Sequence, residues 1–232
     1  MKIVVKRQFS SIIFLIYFNM DKNIILIDKP TEITSFDVIR ILRRKLGIKK
    51  MGHAGTLDPL ASGLMIIGIN EGTKKLNEYL KLSKIYIADI LLGISTTTGD
   101  REGKIIEKKK VENITKEQIE KVLKEMKGKL ELKVPIYSAI KIKGKPLYEY
   151  ARNGKDVDVP TKTMEILDTK LIDISDNKNG SFNIKIEINV SSGTYIRSIA
   201  EEFGRRLGFP ASLSDLRRIK IGDFDIKEAE KI

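Results

Sequence analysis

At 232 residues the chain can form one large domain or two small ones, with a core that buries roughly 70 per cent of the unfolded surface. It has no cysteine and one histidine, which excludes disulfides, iron–sulfur clusters, thiolate zinc sites, cysteine nucleophiles and histidine metal clusters. Carboxylates, hydroxyls and cations must supply the chemistry. Lys and Arg number 43 against 31 Asp and Glu, and the formal net charge of +12 favours a polyanionic partner, RNA or DNA ahead of an anionic membrane. The alternative source of that charge is an AT-rich coding bias, which raises Lys, Ile and Asn throughout.

Residues 1 to 19 stand apart. Lys2, Lys6 and Arg7 precede the apolar run Ser11 to Phe18, and Met20 then opens a conventional-looking start. The run is too short to span a bilayer and no small-residue cleavage site follows. Residues 1–19 therefore read as an upstream-start extension, and 20–232 as the folded domain.

Ile24 to Ile27 predict a buried strand ending at Asp28-Lys29-Pro30. Thr34 and Asp37 then predict a capping box, with a helix whose buried stripe is Phe36, Ile39, Leu42 and Leu46 and whose stop is Gly47. Its other side carries Arg40, Arg43, Arg44 and Lys45, and Lys49-Lys50 run on into the segment from Gly52 to Gly63, GHAGTLDPLASG. There three glycines and Pro59 hold one carboxylate, Asp58, in a stiff loop five residues after His53. Such an Asp either bonds its own backbone as a turn former or is presented to a ligand.

Residues 84 to 92 alternate as a strand with Tyr86, Ala88, Ile90 and Leu92 on one face, followed by the hydroxyl-rich segment Ser95 to Asp100. Thr115 and Gln118 cap a structural helix with Ile119, Val122, Leu123 and Met126 inward and Gly128 at its end. Residues 135 to 160 interleave Tyr137, Tyr148 and Tyr150 with Lys141, Lys143, Lys145, Arg152 and Lys155, a composition suited to RNA contact and equally to a solvated loop. Phe182 to Val190 alternate as a half-buried strand leading through Ser192-Gly193-Thr194 to Tyr195-Ile196-Arg197, and Ile199, Phe203 and Leu207 continue as a helix that stops at Gly208. With no repeat or long linker, one α+β domain is the economical arrangement.

Taken in order, Ile27-Asp28-Lys29-Pro30, Thr34-Ser35-Phe36-Asp37, GHAGTLDPLASG, the Tyr86 strand, Tyr137 to Lys141, Gly144 to Arg152 and Ser192 to Arg197 resemble the TruB family of bacterial tRNA pseudouridine synthases, from about residue 23 to about 228. The resemblance implies the pseudouridine synthase fold, a mixed and largely antiparallel central sheet flanked by helices, with an inserted RNA-gripping segment near 132–160. It implies isomerisation of the T-loop uridine, position 55 of the standard tRNA count, with no cofactor and no metal, by a cytoplasmic monomer whose partner is the tRNA T arm and not a membrane. It also implies a family carboxy-terminal RNA-binding extension, which the sequence does not show.

The resemblance further implies roles for single residues. Asp58 is the nucleophile, Tyr86 stacks on the flipped base and is a candidate for removing the C5 proton, and Arg197 keeps Asp58 ionised. His53, Tyr195 and Leu216 hold the substrate, Tyr195 and Arg197 being read as sharing one face of a strand end. Lys141, Lys143, Tyr148, Arg152, Arg217 and Arg218 are expected to contact RNA, as is Lys29, which with Pro30 also shapes the loop that follows the first strand. Two other readings stay open: a pseudouridine synthase with another or broader RNA target, and a non-catalytic tRNA chaperone.

Overall fold

The computed structural model describes residues 23–232, so the apolar run 11–18 and the reading of residues 1–19 as an extension lie outside the described residues. The chain forms two compact units, one from residues up to Leu82 together with Lys220–Ile232 and the other from Ser83–Ile219.

In the first unit, β1 (Ile24–Lys29) pairs antiparallel with β3 (Ser62–Ile69), which also pairs with the short β2 (Met51–His53). A carboxy-terminal strand, Glu230–Lys231, joins β1 in parallel. β3 is buried along nearly its whole length, as expected of a strand covered on both faces. Helix α1 (Ser35–Leu46) packs beside β2, and its buried residues are Ser35, Val38, Ile39 and Leu42. Thr34 and Asp37 make the expected capping box, and Gly47 ends the helix at φ 68°. The expected stripe is corrected at its first position: Phe36 is 50% exposed, and Val38 takes its place inside. A residue at 36 projects from the first turn away from the sheet, because the inward face is set by Ser35, Val38, Ile39 and Leu42. A second apolar cluster holds Ile24, Ala54, Leu64, Ile66 and Ile221. Tyr79 of α2 (Leu76–Leu80) meets Phe224 edge-on there, 5.5 Å between ring centroids.

In the second unit β4 (Lys84–Leu92) pairs with β11 (Phe182–Val190), β11 with β10 (Thr161–Asp176), and β10 with β7 (Gly128–Lys133), all antiparallel, while β5 (Ile94–Thr96) and β6 (Ile105–Lys108) pair with each other. The expected face of β4 is buried as read, and Lys84 joins Tyr86, Ala88, Ile90 and Leu92 on it. Helices α3 (Lys116–Glu125) and α5 (Ile196–Leu207) contribute Ile119, Val122, Ile199 and Phe203 to the core. Thr115 and Gln118 cap α3 reciprocally, but the helix ends at Met126, and Gly128 opens β7 at φ 100°. Strand β12 (Ala211–Ile221) runs beside β4, the Ser214 hydroxyl donating to the Asp89 carbonyl at 2.9 Å.

The inserted segment contains β8 (Lys141–Ile142), β9 (Lys145–Pro146) and α4 (Leu147–Arg152). Lys143 and Gly144 turn between the two strands at positive φ, 48° and 81°. Val134, Leu147 and Met164 form a small core beneath it, with Tyr195 packed against them.

Candidate active site

Asp58 lies in the turn between β2 and β3, half-buried, and the chain on both sides of it is tied down. The Ser35 hydroxyl, 2% exposed at the start of α1, accepts from the Leu57 N–H at 2.8 Å and donates to the Leu57 carbonyl at 3.0 Å. Ala61 N–H donates to the Asp58 carbonyl at 3.1 Å, and Glu32 N–H to the Pro59 carbonyl at 2.8 Å. The Lys29 ammonium donates to the carbonyls of Ile33 at 2.7 Å, Pro30 at 3.0 Å and Pro59 at 3.4 Å. Leu57, Leu60 and Ala61 bury their side chains. Gly55 and Gly63 bracket the turn at φ 100° and 108°, backbone that a side chain would strain. Three consecutive residues, 57 to 59, are thus fixed through the backbone, so the Asp58 carboxylate is presented from a stiff base. That is the pre-organisation a nucleophile requires.

Ser35 was not singled out in the sequence, because a Ser beside a capping Thr reads as ordinary helix-start composition. Its bond pair predicts a measurable effect. Ser35→Ala leaves a buried N–H and C=O of Leu57 without that partner, which costs about 1–3 kcal/mol, and it loosens the residue next to Asp58. Urea denaturation should register the loss of stability, and single-turnover rates should fall by about ten-fold or more.

Lys29 is fully buried, with its ammonium on three carbonyls. This places it where loop shaping was expected and corrects its expected RNA contact, since a phosphate cannot reach it without unfolding the turn. Arg218 is corrected in the same way, being 1% exposed. Lys141, Lys143 and Arg152 are exposed on the insert, and Tyr148 and Arg217 are half-buried. The Arg152 guanidinium lies over the Tyr148 ring, 5.3 Å from its centroid. His53 closes β2, half-buried, opposite Ile67.

In the second unit Tyr86 is 8% exposed and opposite Ile188. Leu216, 7% exposed, belongs to β12, the neighbour of β4. Tyr195 and Arg197 are not on a strand end. Tyr195 is the N-cap of α5 and Arg197 belongs to its first turn, because Ile196, Ile199, Ala200 and Phe203 supply a helical stripe that takes over immediately after Gly193. Arg197, 6% exposed, donates to the carbonyls of Thr98 at 3.0 Å and Tyr137 at 2.9 Å and lies 3.7 Å from the Asp100 carboxylate. Asp100 accepts from the Thr98 hydroxyl at 2.5 Å and the Glu102 N–H at 3.1 Å, and the Thr96 hydroxyl donates to its carbonyl. One guanidinium thus joins the 97–104 turn to the root of the insert at Tyr137. Asp100 carries this arrangement and was missed; its only signal was the hydroxyl-rich run before it.

Lys84 is also new. It is 5% exposed, and burial, with the nearby Arg218 charge second, lowers its pKa from 10.5 to about 8. Below pH 8 it is protonated in folded and unfolded chain alike. Between about pH 8 and 10.5 the unfolded chain holds a proton that the folded one has released, so this group's contribution to stability rises with pH across that window. Comparing wild type with Lys84→Met in denaturant at pH 7 and pH 10.5 should show the balance moving towards wild type by up to about 3 kcal/mol.

Among the described residues, no group of three or more His, Cys, Asp and Glu is placed to hold a metal ion, and no helix is long and apolar enough to cross a membrane. Residues 43–196 match the model of the N-terminal domain of TruB family pseudouridylate synthases. A tRNA pseudouridine synthase B of Caldicellulosiruptor saccharolyticus is 45% identical over 206 residues, 89% of this chain and 69% of that one. The Bacillus subtilis protein of the same name is 41% identical over 210 residues, 90% of this chain and 68% of that one. A chain in the crystal structure of a Cbf5-Nop10-Gar1 complex shares the fold at a TM-score of 0.71 and 24% identity, over 94% of this chain and 54% of its own length. With a family match over most of its length and relatives at these identities, the chain belongs to the TruB family of pseudouridylate synthases.

Proposed function

We propose that the chain isomerises the T-loop uridine of tRNA, position 55 of the standard count, to pseudouridine, acting in the cytoplasm as a monomer with no metal or cofactor. The observation that carries the reading is the Asp58 turn, whose residues 57 to 59 are each tied through the backbone while the carboxylate stays half-buried. Membership of the family supplies the chemistry. The uridine leaves its stack at a cost of a few kcal/mol, which contacts in the pocket must offset. Asp58 adds to C1′, displacing N1, or to C6, after which the N1–C1′ bond breaks; the base turns, C5 bonds to C1′, and the Asp58 carboxylate is released, displaced from C1′ by C5 or eliminated from C6. C5 then loses its proton and N1 gains one, so the product is an isomer with no net change in atoms or electrons.

Tyr86 stacks on the base, an interaction worth about 1–3 kcal/mol, and its hydroxyl takes the C5 proton. Arg197 keeps the nucleophile ionised, and its planar fork is a role that Lys does not fill. His53, Tyr195 and Leu216 hold the nucleotide, and Lys141, Lys143, Tyr148, Arg152 and Arg217 hold the T arm.

Tritium release from a tRNA transcript labelled at uridine C5 tests the reading, with a second transcript carrying cytidine at the target. Release that disappears on the cytidine transcript supports it. Release that persists there assigns the enzyme another uridine, and tight tRNA binding with no release on either transcript makes the chain a tRNA chaperone.

A further inference from the structure

Phe36 and Arg40 are exposed on α1, and neither belongs to its buried face. Phe36, Arg40 and Arg43 follow one another at helical spacings of four and three, along the border of the face that buries Val38, Ile39 and Leu42, with Arg43 half-buried. The Arg40 guanidinium carbon lies 4.9 Å from the Phe36 ring centroid and that of Arg43 5.9 Å, both within cation–π range. Arg40 is held towards Asp37 at 2.9 Å, and Arg43 donates to the Met51 carbonyl at 3.3 Å, so both guanidinium groups are tethered beside the ring. Among the described residues Phe36 is the one aromatic among the exposed large apolar side chains; the others, such as Ile105, Ile106, Leu167 and Ile172, are aliphatic. The capping box is complete through Thr34 and Asp37 alone, and the sheet-facing stripe without position 36, so neither requires an aromatic there.

Its location adds the second half of the case. Phe36 directly follows Ser35, the residue that grips Leu57, and Leu57 directly precedes Asp58. Continuing away from the ring, Arg44, Lys45, Lys49 and Lys50 are exposed cations. A half-exposed ring flanked by guanidinium groups, followed by a run of cations, matches the needs of an unpaired nucleotide: a flat surface for the base and positive charge for the phosphates behind it.

We propose that this face is an RNA-binding surface on which an unstacked base of the substrate RNA, outside the reacting uridine, stacks against Phe36 while Arg40, Arg43 and Arg44 meet its flanking phosphates. The assignment rests on the reading of the chain as an RNA-modifying enzyme, but its test does not depend on turnover. It requires the T arm to approach along α1 and gives this face a part in recognition separate from that of the insert.

The experiment measures the affinity of Asp58→Asn protein, in place of active enzyme, for a tRNA transcript, with and without Phe36→Ala, Phe36→Leu and Phe36→Trp. The expected results are a loss of about ten- to a hundred-fold for Ala, a similar loss for Leu, and recovery for Trp. Arg40→Gln should reduce the dependence of log K on log salt by somewhat under one unit. In the active enzyme Phe36→Ala should raise KM with little change in kcat, since the ring does not touch the reacting atoms. Equal affinity of the Ala variant and its parent overturns the proposal, as does a Leu variant that binds like Phe, which would make the ring's area and not its π-face the feature. A fall in melting temperature with unchanged affinity also overturns it, by assigning Phe36 to folding. Should the wild-type chain bind RNA but release no tritium from any transcript, the functional reading fails while the affinity series still decides the role of Phe36.

Discussion

Asp58→Asn is expected to lower tritium release by four orders of magnitude or more while leaving the far-ultraviolet circular dichroism and the affinity for tRNA close to wild type. Loss of a covalent nucleophile typically has effects of this size, because the remaining binding and electrostatic contacts cannot substitute for the bond it forms. The reason to expect an intact fold is specific to this turn. Its described anchors are the Ser35 hydroxyl, the Lys29 ammonium and backbone groups of Glu32 and Ala61, and Asn leaves each of them in place. Asp58→Glu is the sharper probe. It keeps the charge but moves the carboxylate outward by about one bond length, and misplacement on the order of 1 Å can cost about 10²-fold. A Glu variant with near wild-type turnover would mean that the stiffness of residues 57 to 59 is not what the reaction uses, and an Asn variant with full product would remove Asp58 from the chemistry.

Substitution of Arg197 should lower both stability and rate. Arg197 and Asp100 are 6% and 3% exposed, so removing the guanidinium leaves a buried carboxylate without its cation and the carbonyls of Thr98 and Tyr137 without their donor. Breaking a buried pair of this kind from one side costs about 3–5 kcal/mol, which in a chain of this size lowers the melting temperature by roughly 6–20 °C. Arg197→Lys keeps the charge and loses the fork, so it recovers part of the stability and little of the activity. Asp100→Asn should be milder, because an amide oxygen can still accept from Thr98 and Glu102. Combining Arg197→Met with Asp100→Asn should show a coupling of about 1–3 kcal/mol, the double variant being less damaged than the sum of the two. Additive effects would show that the 3.7 Å pair contributes nothing to the burial of Arg197.

The parts of this site that could be read in advance share a physical character. The caps of α1 and α3, the αL stop at Gly47, the alternation of β4 and β11, and the glycine-bracketed turn around Asp58 are all governed by groups within a few residues of one another. The misreadings share one as well. Phe36 was read inward because an aromatic near a helix start suits a buried stripe, and only packing shows which side of the first turn the sheet covers. Tyr195 and Arg197 were read on a strand end because they follow a strand after a short turn, whereas the α5 stripe begins at Ile196 itself. Lys29 and Arg218 were counted as surface cations because charge predicts exposure, until enough carbonyls or neighbouring chain surround a cation to hold it inside.

By itself the sequence determined what chemistry was possible: the lack of cysteine and the lone histidine left carboxylates, hydroxyls and cations to supply it, and the glycines and Pro59 placed Asp58 in a stiff turn. Those are consequences of composition and of local backbone sterics, which need no folded neighbour. Tertiary structure alone decided which groups support that chemistry. Ser35 reaches Leu57, Arg197 reaches Thr98, Asp100 and Tyr137, and Lys84 loses its solvent, because strands and helices distant in the chain come within hydrogen-bond range. Buried polar groups must find partners wherever the fold delivers them, so their partners are set by topology and not by spacing along the chain.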